Sequence, residues 1–273
     1  MLRQRILTAL VLAPLAIAAV LYLATDALAA LAALVGLVAF AEWARLAGLG
    51  GRLPRAAYAV AGTATGLLLW YWPPAHRWLG LLVYCALVFW PLAMLWLARG
   101  PYAPGPGSHR PLLKAVAGPL FVLPAWQAAL LIHAELGPWW LLYVMVLMWV
   151  ADSGAYFSGK RWGHRRLSPR VSPGKTVAGL LGALVLSVPY ALAGGRLLPD
   201  RGVDPWLLVL LSLLVVAISV VGDLFVSLMK RQAGLKDSGH LLPGHGGILD
   251  RLDSLSAAAP FFYIGLQWAR GGA

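Results

Sequence analysis

The sequence predicts an all-α, polytopic integral membrane protein with about nine transmembrane helices and a cytoplasmic N-terminus. Three observations carry that expectation: the poverty of charge, the length of the apolar runs, and the one-sided placement of the basic residues. Of 273 residues, 60% are hydrophobic and only 12% are charged, and the mean hydropathy is +0.76. Soluble domains carry roughly 25% charged residues, so this chain could not cover a water-facing surface with polar groups. A disordered chain, a disulfide-stapled secreted domain and an ordinary cytosolic enzyme are excluded on the same ground. The one cysteine, Cys85, has no bridging partner and sits in an apolar run, so it argues for neither redox nor zinc chemistry.

A hydrocarbon core about 30 Å thick takes ~20 residues of helix. Apolar runs of that kind cover 6–24, 27–41, 57–72, 78–98, 115–134, 138–157, 176–194, 206–221 and 257–268, of which the second, third and last are short. Backbone groups in lipid must be satisfied internally, and no alternating barrel pattern is present, so the runs read as helices. The first is too long for a secretory signal core of ~7–15 residues and reads as a retained helix. With the N-terminus inside, nine spans put 18 of the 22 Lys and Arg residues on the cytoplasmic side, leaving only Arg77, Arg196, Arg201 and Arg270 outside. That split obeys the positive-inside rule. It also absorbs the net charge of +12. Bases divided among short loops form no continuous patch, so no nucleic-acid partner is expected.

The chain divides into residues 1–137, about five spans, and residues 138–273, a catalytic region with two cytoplasmic loops. In the first part, Asp26, Glu42 and Glu135 are isolated acids, Trp70, Trp72 and Trp78 read as interfacial anchors, and Gly62 and Gly66 form a small-xxx-small pair for helix approach. The Pro- and Gly-rich stretch 101–111 reads as an inside loop. In the second part, the stretches 152–175 and 223–253 hold five of the ten acids and ten of the 22 bases. Each begins with an acid, Asp152 or Asp223, at the end of an apolar helix, where a carboxylate is expensive and a functional role is the default.

Asp223, Ser227 and Lys230 are spaced i, i+4, i+7 and share a helical face. Asp250 and Asp253, at i and i+3, also share one if 248–254 is helical. Between these groups, Gly239 and the run Pro243, Gly244, His245, Gly246, Gly247 form a loop. Its glycines permit positive φ and the close approach of backbone N–H groups to a phosphate. Carboxylates beside bases and a Gly-rich nest suit a polyphosphate with its divalent cation: oxygen ligands take Mg²⁺ and bases neutralise the remaining charge. The Gly174, Lys175, Thr176 triplet is not a P-loop, because Pro169 occupies the position of the first glycine. His240 and His245 lack further ligands for zinc, and neither a nucleophile elbow nor a metalloprotease motif occurs.

The stretch Ser227, Lys230-Arg231, Lys236-Asp237, Gly239, Pro243 to Gly247, Asp250-Arg251 and Asp253 closely resembles the signature of the CDP-diacylglycerol synthase (phosphatidate cytidylyltransferase) family. Upstream, 152–156 and 172–176 resemble further elements of that family in the same order. The resemblance implies transfer of the cytidylyl group of CTP to phosphatidate at the cytoplasmic face of a bacterial-type inner membrane, giving CDP-diacylglycerol and pyrophosphate. It implies Mg²⁺, with a second ion able to join it, and a homodimer among membrane lipids. Asp223 and Asp250 are then the leading metal ligands, with Asp253 and Asp152 as further ligands or orienters. Lys230 and Arg251 join the carboxylates in the catalytic group. Asp152, Ser227, Asp237, the bases Lys175, Arg231 and Lys236, and the loop Gly244, His245, Gly246 and Gly247 bind substrate. Two positions depart from the family pattern: Val226 stands where an acid usually precedes the signature serine, and Ala178 where an acidic or amide residue is common.

Two other readings compete. A CTP-dependent polyprenol kinase of the dolichol-kinase type would share the nucleotide chemistry but release CDP. A transporter should carry polar residues at mid-membrane on several helices, and the apolar interiors here lack them.

Overall fold

A computed structural model describes residues 2–72, 74, 76–104, 110–198, 203–241 and 246–271. The chain runs through α1 (Leu2–Tyr22), α2 (Thr25–Leu46), α3 (Arg52–Tyr71), α4 (His76–Arg99), α5 (Pro111–Leu131), α6 (Pro138–Trp162), α7 (Val177–Leu197), α8 (Pro205–Gln232) and α9 (Leu249–Ala269). Each expected apolar run overlaps one of these helices, differing at the ends. Six of the helices, α2 and α4 to α8, are long and apolar enough to cross a membrane. The fold is that of an all-α, polytopic membrane protein.

Helix starts follow from local chemistry. Asp204 caps α8, its Oδ1 accepting from the N–H groups of Trp206 at 2.9 Å and Leu207 at 3.0 Å, with Pro205 in the first turn. Gly137, at φ +101°, turns the chain from α5 into α6, which opens on Pro138. Before that turn α5 widens into a π-helical segment, Ile132–Leu136. His133, isolated in the sequence, is structural there: its ring nitrogens meet Thr25 Oγ1 at 2.8 Å and the Val20 carbonyl at 2.9 Å, tying α1 and α2 to α5.

The basic loop before α7 departs from the expectation of irregular chain. It contains a short antiparallel hairpin of β1 (Arg166–Ser168) and β2 (Ser172–Thr176), in which Arg166 faces Thr176 and Ser168 faces Ser172. Pro169 supplies the fixed φ of the turn between them. Thr176 then caps α7, its Oγ1 accepting from Gly179 N–H at 3.0 Å, so β2 runs straight into the helix.

One core is shared by both parts of the chain. Its centre is Phe225 on α8, fully buried among rings supplied by α2, α4 and α5: Phe89 at 5.6 Å, Trp96 at 5.8 Å, Trp90 at 6.1 Å, Trp43 at 6.2 Å and Phe121 at 6.4 Å between centroids. Gly62 and Gly66 do not bring two helix backbones together as expected. Gly62 makes room for the Phe40 ring, and Gly66, with Gly36, for the Trp126 indole. Close backbone approach occurs instead at Gly154 of α6, where a Cβ would meet the Gly182 carbonyl of α7 at 2.6 Å, and at Gly222 of α8, which faces the Asp253 carbonyl of α9.

Because Phe225 has five aromatic neighbours and no exposed surface, Phe225→Ala should destabilise the protein by about 3–5 kcal/mol. Thermal unfolding in detergent would measure this, and a shift no larger than that of a lipid-facing Phe157→Ala would show that the box does not hold α8.

Candidate active site

α8 does not stop where its apolar run ends. It continues to Gln232, carrying Asp223, Ser227, Lys230 and Arg231 on helical backbone, and α9 begins at Leu249, so Asp250, Arg251 and Asp253 lie in its first turns. Both helical-face expectations therefore hold. The close contact at Gly222 brings the two charged helix ends side by side. Between them, α6, α7 and the hairpin, a cavity of about 580 Å³ opens. Its charged wall contains Asp152, Lys175, Asp223, Lys230, Arg231, Lys236, Asp237, Asp250, Arg251 and Asp253, with Ser227 beside them. Apolar lining comes from Ala151, Ala155, Leu180, Ala183, Val216 and Val220 of α6, α7 and α8. Of the predicted site residues, Gly244 and His245 lie outside the described residues.

Two ion pairs organise the charged wall. Lys175 Nζ, delivered by β2, sits 2.6 Å from Asp223 Oδ2, and Lys230 Nζ sits 2.6 Å from Asp250 Oδ1. Ser227, one turn after Asp223, donates to Asp223 Oδ1 at 3.3 Å. Arg231 Nε donates to the Val171 carbonyl at 3.2 Å and so anchors the hairpin tip to α8. Arg170, next to that tip, lies over the Tyr102 ring at 5.5 Å.

The glycine loop differs in part from the expected phosphate cradle. Gly246 adopts φ +82°, a conformation that favours glycine. The Gly247 N–H, however, donates to Asp250 Oδ2 at 3.1 Å. That oxygen also receives Ser238 N–H at 2.9 Å and Ser238 Oγ at 3.0 Å. Gly247 thus fixes the turn into α9 and holds Asp250 in place with its N–H.

The sequence reading missed Glu42. This α2 residue is 5% exposed and reaches into the signature loop. Its carboxylate accepts from Ser238 Oγ at 2.7 Å, Ile248 N–H at 3.0 Å and Leu249 N–H at 2.9 Å. Only one feature of the sequence pointed to it, an acid buried at the end of an apolar run. Val226, by contrast, is fully buried away from the cavity, and Ala178 is not among the described lining residues. The two departures from the family pattern therefore lie off the charged wall.

The electrostatics separate the two α9 carboxyls. Burial pushes Asp250 up, but the Lys230 hydrogen bond, the Gly247 N–H, the Lys230 charge and the Ser238 N–H outweigh it and hold Asp250 below the ordinary carboxylate range. Asp253 goes the other way. Burial first, and then the negative charge of Asp223, push its carboxyl up to about 8, against weaker opposition from the Ser254 N–H and from Lys175 and Lys230. Among the described residues no three His, Cys, Asp or Glu side chains are grouped closely enough to hold a metal ion by themselves.

The cytidylyltransferase family matches residues 3–269. The chain belongs to that family. Among its relatives, the phosphatidate cytidylyltransferase of Pseudomonas aeruginosa is 46% identical over 272 residues, covering 99% of this chain and 98% of that protein. The Haemophilus influenzae protein of the same name is 42% identical over 196 residues, 67% of each chain. That of Bacillus subtilis is 42% identical over 130 residues, 48% of each. The family match therefore runs from α1 through α9.

The opposed carboxyls predict opposed pH behaviour in the absence of divalent ions. Asp253 has a folded value near 8 against ~3.9 unfolded. Its contribution to stability is full below that unfolded value and is lost as pH rises toward 8. Asp253→Asn should remove this component of the decline between pH 4 and 8, read as flatter melting temperatures in detergent with a chelator. Asp250 contributes stability above its unfolded value and loses it only in stronger acid, so Asp250→Asn should flatten the acid limb instead.

Proposed function

We propose that this protein transfers the cytidylyl group of CTP to phosphatidate, giving CDP-diacylglycerol and pyrophosphate for phospholipid synthesis. The observation that carries the reading is a cavity lined by both charged and apolar side chains, in a chain 46% identical to a phosphatidate cytidylyltransferase across its length. A nucleotide triphosphate needs the charged lining and a lipid phosphate needs both kinds.

The attack is in line: a phosphate oxygen of phosphatidate forms a bond to the α-phosphorus of CTP, and the bond to the β-phosphate oxygen breaks. Such displacement demands positioning and charge neutralisation more than covalent side-chain chemistry. Lys175, Lys230, Arg231, Lys236 and Arg251 hold the phosphates, and Ser227 and Asp237 complete the polar wall. The apolar side chains of α6, α7 and α8 receive the lipid. No proton transfer is required, since the attacking oxygen is already anionic.

The carboxylate oxygens fit a magnesium ion carried by the substrate. Mg²⁺ is commonly held by one or two carboxylates together with substrate phosphates, not by an all-protein cage. Asp223 and Asp250 would hold it, with Asp253 and Asp152 orienting or holding a second ion. When bound, it supplies positive charge to the triphosphate as negative charge moves to the leaving pyrophosphate.

We also assign nine spans with a cytoplasmic N-terminus, a site on the cytoplasmic side of the inner membrane, and a homodimer. The 18-to-4 division of bases supports the orientation. In a Cys85→Ser background, a cysteine at Asp204 should react with an impermeant maleimide in spheroplasts, whereas one at His164 should react only after lysis. Light scattering of the detergent-solubilised protein reads the dimer.

The reaction is tested with purified protein, Mg²⁺, phosphatidate and base-labelled CTP. Labelled cytidine should enter the lipid phase in amounts equal to the pyrophosphate released, and Asp223→Asn or Asp250→Asn should abolish both. Labelled CDP in the water phase with a newly phosphorylated lipid alcohol would indicate the kinase instead. Lys175→Ala should lower kcat/KM for CTP by about 10²-fold, the magnitude typical of removing one group that stabilises developing charge.

A further inference from the structure

The geometry points to Glu42, in the N-terminal part of the chain, as a positioning residue of the nucleotide site, acting through Ser238 and the start of α9 on Asp250. This rests on the cytidylyl-transfer reading above. Glu42 does not line the cavity, yet it touches what shapes it. Its Oε2 lies 2.7 Å from Ser238 Oγ, and the same hydroxyl lies 3.0 Å from Asp250 Oδ2. One serine proton thus bridges two carboxylates, and Ser238 is fully buried. Glu42 also takes the Ile248 and Leu249 N–H groups, donors left unsatisfied at the start of α9, where a negative charge is favourable. Asp250 follows one residue later.

Two glycines make the arrangement possible. A Cβ at Gly239 would collide with the Glu42 carboxylate, and one at Gly247 with both Ser238 Oγ and Glu42. The loop is therefore moulded around an acid from α2. Oδ2 of Asp250 depends on the same Ser238 and Gly247 for its hydrogen bonds, which leaves Oδ1, paired with Lys230, directed by the position of this loop. Moving Glu42 moves the carboxylate that faces the triphosphate and its cation, while the apolar lining from α6, α7 and α8 stays in place.

The test compares full-length wild type, Glu42→Gln, Ser238→Ala and the double variant in detergent. Gln127→Leu, which removes a buried hydrogen bond to the Gly66 carbonyl far from the loop, serves as the stability control. Gln at position 42 keeps the size but turns one acceptor into a donor facing other donors. Glu42→Gln should weaken CTP binding by at least tenfold, measured by calorimetry with Mg²⁺ and no lipid. It should also raise the Mg²⁺ needed for half-maximal transfer at least fivefold, with KM for phosphatidate within twofold of wild type. Ser238→Ala should shift the same two quantities in the same direction, and the double variant should be no worse than the poorer single, since both act on one linkage. Gln127→Leu should lower the melting temperature without changing either quantity.

CTP affinity and Mg²⁺ requirement within twofold of wild type in a folded Glu42→Gln variant would overturn the proposal and leave Glu42 a helix cap. Fully multiplicative losses in the double variant would overturn it as well. If Glu42→Gln does not fold, Ser238→Ala alone decides by the same criteria. A wild-type protein that neither binds CTP nor transfers cytidylyl overturns the reaction reading and this proposal together; a wild type that does both beside an unaffected variant overturns this proposal alone.

Discussion

Carboxylates at the edge of an apolar bundle must be compensated, and the local structure around the cavity answers that requirement. An unpaired buried carboxylate costs several kcal/mol. Asp223 is answered by Lys175, which comes from a hairpin that exists in an otherwise all-α protein and feeds directly into α7. Asp250 is answered by Lys230, which requires α8 to remain helical beyond its apolar run. Asp253 has no ion pair among the described residues, and burial pushes its carboxyl up to about 8. The different treatment of these acids sets apart the two that are paired directly with a lysine from the one that burial pushes toward its protonated form.

The compensation works only because both parts of the chain contribute. Phe225 follows Asp223 by two residues on α8, and the rings that enclose it come from α2, α4 and α5. Aromatic packing of this kind contributes area and geometry together, and it fixes the height at which Asp223 leaves the bundle. Glu42, adjacent to Trp43 on α2, does the equivalent for α9 by accepting the Ile248 and Leu249 N–H groups. The first part of the chain is therefore more than a membrane anchor for a catalytic second part: its aromatic residues and one acid set the relative positions of the two charged helix ends.

Most of this was legible in the sequence, for physical reasons. Apolar runs must be helical in lipid, so all nine helices could be read from hydropathy, with errors at their ends. Those errors share a cause. The helices α8 and α9 extend into charged sequence that hydropathy treats as loop, although the i, i+4, i+7 spacing of Asp223, Ser227 and Lys230 already indicated it. The hairpin was not legible because Ser-Pro-Arg-Val-Ser-Pro carries no alternating apolar pattern, and its strands are held by one turn and the Arg231 contact to Val171. Glu42 was not legible because its meaning depends on contacts more than 190 residues away in the sequence, to Ser238, Ile248 and Leu249. Gly247 was misread for a related reason: a glycine-rich turn offers N–H groups to any anion, and here the anion is the protein's own Asp250.

Charge counting on the cavity wall leads to the last step. Its described lining holds five bases, Lys175, Lys230, Arg231, Lys236 and Arg251, against five acids, Asp152, Asp223, Asp237, Asp250 and Asp253. With all ten ionised the wall is formally neutral, and the proton retained by Asp253 tilts it only slightly positive. A triphosphate and a lipid phosphate together bring a large negative excess that such a wall cannot balance by itself. In the proposed reaction cations enter with the substrates, and the acids are the groups that would hold them. A wall of bases alone would hold a triphosphate more tightly but would neutralise substrate and leaving group alike, deepening the ground state without favouring the transition state. Under that proposal, interleaved acids and bases would keep ground-state binding modest and reserve the strongest stabilisation for the charge that develops on the departing pyrophosphate.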